Sequence, residues 1–148
     1  MSATNAFETS LLSHIFANAD IANVGDATGL RGSSTAGNLY ISLHTADPGE
    51  AAVSGQQTSE CAYTSYARVS VVRSGSGWTV SGNNASNAAA VTFPTATGGS
   101  ETATHFGIGT ASSGAGVLLL KGAINATLAI SNGIAPSFAI GELDINLD

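Results

Sequence analysis

Charge is scarce in this 148-residue sequence: only 9% of its residues are Asp, Glu, Lys or Arg, against about 25% in an average soluble domain. Gly, Ala, Ser, Thr and Asn take the place of the missing charge, so the predicted surface is hydrated but weakly ionic. Such a surface suits docking in an assembly, where ionic groups would have to be desolvated. Basic residues are the scarcer of the two signs. Arg31, Arg68, Arg73 and Lys121 stand against ten acids, for a net charge of −6. Four scattered cations do not neutralise a run of phosphates, which excludes nucleic acid as a direct partner. Cys61 is the sole cysteine, so no disulfide forms within the chain and synthesis in the cytoplasm is expected. The start, MSATNAFETSLLSHIF, lacks a basic stretch and carries Glu8 inside its apolar part, unlike a signal peptide. The longest apolar runs, such as VLLL at 117–120, are too short to cross a bilayer, so no membrane partner is expected. Internal repeats, heptads and a Gly-X-Y period are also missing, and fibrous proteins usually carry such a repeat.

What is present divides into one helix and many strands. Phe7, Leu11, Leu12, Ile15 and Phe16 form a single apolar stripe over residues 5–18, with Asn5 and Glu8 spaced as an amino-terminal cap. Residues 19–37 follow as a long Gly/Ser/Thr-rich loop of the kind that often binds. Strands are expected near 38–44, 66–73, 77–81, 88–93, 103–109, 116–121, 123–130, 136–140 and 142–147, with glycine- and serine-rich turns between many of them. Several alternate with period two, as in Ile124, Ala126, Leu128 and Ile130, the mark of antiparallel strands with one buried face. The expected fold is mainly β: one domain over residues 1–148, an antiparallel β-sandwich or jelly roll of about 8–9 short strands behind one amphipathic amino-terminal helix.

Candidate chemistry is sparse. A metal site would draw on His14, His44 and His105 with Asp47 or Asp144, but each histidine sits alone in sequence, without an H-x-H, HExxH or cysteine partner. The closest pairing is His44 with Asp47, inside YISLHTADPGE. There, Leu39, Ile41 and Leu43 bury one face of a strand, and Tyr40, Ser42 and His44 take the other. Asp47-Pro48-Gly49-Glu50 has the composition of a type II turn, with Asp47 able to hold the backbone two residues on. Serines abound without a G-x-S-x-G elbow, and Cys61 has no activating base nearby. The glycines of HFGIGTASSGAG lack phosphate-loop spacing. Trp78, Tyr40, Tyr63 and Tyr66 could line a sugar-binding face, although Trp78 reads better as packing against the sandwich edge. No catalytic, metal or cofactor-binding residue is assigned, no cofactor is implied, and an enzyme is not expected.

A series of motifs in order carries a resemblance over nearly the whole chain: LYISLHTADPGEA, YARVSVVRSGSGW, SNAAAVTFPTATGG, THFGIGTASSGAG, LLLKGAINATLAISNG and FAIGELDINLD. Together they resemble small tailed-bacteriophage virion proteins, a group that includes jelly-roll capsid cement or decoration proteins and is often labelled as tail fibre. The resemblance implies the virion. The missing repeat favours a cement protein on the capsid exterior, with the major capsid protein and further copies of itself (dimer or trimer) as partners. The helix, the 19–37 loop or the 45–65 loop would reach the capsid. The alternative is a tail- or head-fibre module that binds a receptor or glycan.

Overall fold

The computed structural model describes residues 3–25, 29–50 and 55–147. In chain order it contains helix α1 (Asn5–Ala17), strand β1 (Asn38–His44), a 3-10 turn (Gly55–Gln57), β2 (Val69–Val72), β3 (Trp78–Ser81) and β4 (Asn84–Asn87). There follow β5 (Val91–Thr92), β6 (Ser100–Gly109), β7 (Leu118–Ser131), β8 (Ser137–Phe138) and β9 (Asp144–Asn146). The chain is mainly antiparallel β with one amino-terminal helix, as its alternation predicts. It divides into two compact units.

The first unit comprises Met1–Asn38, Val72–Val91 and Phe138–Asp148. Its three-stranded sheet has the order β3-β4-β9, both pairings antiparallel. Helix α1 starts at Asn5 as its sequence predicts and ends at Ala17, one residue short of the expected 18, but its cap differs. Thr4, not Asn5, is the cap: its backbone is extended and its side chain accepts from Phe7 N–H, while Asn5 is already helical. The apolar stripe is also only half used. Leu12 and Phe16 are buried beside Glu8, whereas Phe7 is 45% exposed. Phe16 packs on Trp78 with ring centroids 4.6 Å apart, so the helix covers the start of β3. At the same carboxy-terminal end Arg73 donates from Nε to the Ile15 carbonyl (2.6 Å) and from Nη2 to that of His14 (2.7 Å). A cation there satisfies carbonyls that no further helical turn can reach.

The loop after α1 is pinned back along its described part. Ile21 and Leu30 exchange backbone hydrogen bonds of 2.8 and 2.9 Å, and the Asn18 side chain both donates to and accepts from the backbone of Ser33. Strand β4 (NASN) escapes sequence reading because Asn and Ser favour turns. It is nonetheless the central strand of its sheet, with Ala85 and Asn87 buried. Asn87 accepts from Leu143 N–H and donates to the Ala89 and Ala139 carbonyls, so a buried amide takes the place of an apolar side chain and ties in the chain before β9. The predicted strand at 88–93 shrinks to β5, which pairs with β8 in a short ribbon.

The second unit comprises Leu39–Val71 and Thr92–Ser137 and centres on a four-stranded sheet of order β2-β1-β6-β7. Ile41 lies opposite Ile108 and Leu43 opposite Phe106, and all four are buried. Strands expected at 116–121 and 123–130 are one strand, β7. The glycine that suggested a break, Gly122, serves packing instead: a Cβ there would lie 2.6 Å from the Phe106 ring. The strand does bulge one step later. Ala103 pairs with Leu128 and His105 with Ala123, so residues 124–127 of β7 stand against Thr104 alone.

Candidate functional site

The His44 stretch shows what the second unit does with its polar residues. The turn is as its composition predicts: Gly49 has φ +74° and its N–H donates to Asp47 Oδ1 at 2.8 Å. The strand face assigned to Tyr40, Ser42 and His44, however, is not left to solvent. Ser42 and His44 are fully buried. His44 Nε2 lies 2.8 Å from Ser42 Oγ and its Nδ1 lies 2.8 Å from the Thr58 carbonyl, so the imidazole bridges β1 to the segment that covers it. Gly107 makes room for both groups, since a Cβ there would lie 2.7 Å from each. A serine and histidine at this distance resemble half a catalytic triad, but with both side chains sealed in the core no substrate reaches the hydroxyl.

Burial lowers the His44 pKa from its ordinary value near 6.5, opposed by the Thr58 hydrogen bond. The neutral ring is therefore the folded form. Its contribution to stability is complete above about pH 6.5 and is lost as pH falls from there through the lower folded pKa, because the unfolded chain takes the proton first. The urea midpoint should fall between pH 7 and pH 5 in the native chain. It should fall less in His44→Gln, which removes the titrating group.

Next to His44 lies a polar hub that sequence reading missed. Arg68, in the YAR motif, grips Glu60 with two bonds: Nε to Oε1 at 2.6 Å and Nη2 to Oε2 at 2.7 Å. The same guanidinium donates to the carbonyls of Gln56, Ala111 and Gly114. Tyr66 donates its hydroxyl to Glu60 Oε1 (2.8 Å) and accepts from Leu43 N–H (3.0 Å). Gln56, also fully buried, donates to the Tyr40 carbonyl and accepts from Ala111 N–H. One arginine thus fastens the 55–60 segment and the 110–117 turn, and five donors in a planar fork suit that task better than a lysine would. The available signal was spacing: a lone arginine in a charge-poor chain with an acid eight residues before it.

The remaining candidates are dispersed. His14 bonds the Ala19 carbonyl through Nδ1 at 2.7 Å, His105 bonds Thr104, and Asp144 bonds Asn84. Asp47 pairs with Lys121 at 2.8 Å, which holds its carboxyl below the ordinary range. No group of three or more His, Cys, Asp or Glu among the described residues is placed to hold a metal ion. Cys61 is buried, which pushes its thiol up to about 12, far from nucleophilic use. Trp78 and Tyr63 lie in the core and so offer no sugar-stacking surface. All four cations are engaged within the chain: Arg31 with Asp20, Arg68 with Glu60, Arg73 with helix carbonyls, and Lys121 with Asp47 and Glu50. No described helix is long and apolar enough to cross a membrane.

A model of the family described as "Podophage GP4 fiber I protein gp80" matches residues 2–146. No curated protein matches the chain. The match spans nearly the whole sequence, and the chain belongs to this family of phage structural proteins.

Proposed function

We propose that this chain is a building subunit of a virion fibre rather than a capsid cement protein. The observation that carries the reading is the fibre-family match over residues 2–146; the cement assignment drawn from the missing repeat has no comparable support. A short antiparallel unit without a repeat contributes to a fibre by being joined to other subunits, not by forming a long rod itself. The chemistry inside the chain agrees with a structural rather than catalytic role. Its buried Ser42–His44 pair and its largely buried Arg68 hub hold loops in place. Within the fibre reading, joining is favoured over glycan recognition, because Trp78 and Tyr63 are packed inside. A map of the intact virion, with antibody labelling of this chain, tests the assignment. A few to tens of copies on fibres at the tail or head are expected. Hundreds of copies spread over the capsid lattice would overturn it and restore the cement role, with the major capsid protein as partner.

A further inference from the structure

The two outer edges of the four-stranded sheet are unlike. Strand β2 is four residues long, a short edge that offers few backbone groups for pairing. Strand β7 is fourteen residues long, on the order of 40 Å of chain. Among the described residues it has β6 on one side and no strand on the other. Its sequence, LLLKGAINATLAIS, holds a single charge, Lys121, already matched by Asp47 and Glu50 of the same chain. No proline interrupts it. Its residues are largely apolar yet mostly exposed or half-exposed, with Ile130 buried. The exposed large apolar residues of this unit, Val117, Leu119 and Ile134 at 44–45%, all lie within β7 or three residues of its ends. Apolar exposure and open backbone therefore coincide on one edge, where the usual protection is limited to Lys121 and the 124–127 bulge.

We propose that β7 is a seam by which two copies of this chain join edge to edge, antiparallel about a two-fold axis. The partner follows from the chemistry of the edge. A charged partner would find no free countercharge on β7. A row of backbone N–H and C=O groups is best matched by another such row, and a second β7 offers one of equal length. Antiparallel pairing about a point away from Lys121 does not place the two lysines opposite one another, so self-association meets no like-charge penalty there. The two Leu119 side chains and their apolar neighbours would lose water on pairing. The proposal adds a specific joint to the fibre reading, which asks only that subunits be joined.

Sedimentation of the purified full chain at micromolar to near-millimolar concentration tests the seam. The native chain should form a dimer. Ala123 and Ala129 are exposed on β7. The doubly substituted Ala123→Lys/Ala129→Lys and Ala123→Glu/Ala129→Glu chains should each be monomeric, with at least ten-fold weaker association, and should dimerise when mixed. Amide hydrogen exchange of the native chain gives a readout independent of those variants: protection along 118–131 should rise with protein concentration. A native chain that stays monomeric overturns the seam, as does a dimer that survives both variants or a mixture that does not pair. These outcomes are separate from the location of the chain in the virion. A β7 dimer found on the capsid would leave the seam and remove the fibre, and a monomer found in a fibre would do the reverse.

Discussion

Arg68→Ala should lower the stability of the chain by about 3–5 kcal/mol, the range seen when one partner of a buried ion pair is removed. The Arg68 side chain is 2% exposed and that of Glu60 15%. Truncation leaves the Glu60 carboxylate with Tyr66 alone among its side-chain partners in the hub, and strips a donor from three carbonyls that fasten the 55–60 and 110–117 segments. The cost comes mainly from what is left behind, not from the pair's own attraction. Arg68→Met with Glu60→Leu should therefore lose less than Arg68→Ala, although it removes more charge. Lys121→Ala supplies the contrast. Its partner Asp47 is 54% exposed, and an exposed, solvent-screened pair contributes little to stability. Equilibrium urea unfolding followed by tryptophan fluorescence and circular dichroism ranks the three. If Arg68→Ala unfolds no earlier than Lys121→Ala, the hub does not hold the unit together.

The fold class was legible because alternation is a local property. Leu39, Ile41 and Leu43 announce β1 without knowledge of any neighbour. The misreadings arise where the deciding partner lies far along the chain. Gly122 looks like a break until Phe106 is seen to need its missing Cβ. The NASN of β4 looks like a turn until β3 and β9 enclose it. Ser42 and His44 look like a wet face because alternation cannot tell a sheet covered on one side from one covered on both. The hub was the hardest to see. Glu60 and Gln56 lie in a polar loop, and only folding brings them to Arg68. The step from a missing repeat to a cement protein was weak for a different reason: absence of a repeat argues against a self-sufficient rod, not against a subunit of a larger fibre.

Trp78→Ala should cost about 3–5 kcal/mol, whereas Trp78→Phe should stay within about 1 kcal/mol of the native chain. The first figure is the usual loss for deleting a buried aromatic ring. Trp78 is 1% exposed and faces Phe16, so its removal opens a cavity between α1 and β3. The second rests on two opposed effects. Phenylalanine is smaller, which leaves part of that cavity. But among the described residues the indole Nε1–H is buried without a hydrogen-bond partner, a defect that costs about 1–3 kcal/mol, and phenylalanine abolishes it. The comparison also separates packing from recognition. A tryptophan kept for stacking on sugar would lie at the surface, where its loss would cost little stability and much binding. Thermal and urea unfolding of the two variants decides between these roles. A Trp78→Ala chain as stable as the native one would move the ring out of the core and reopen a glycan-binding face on the first unit.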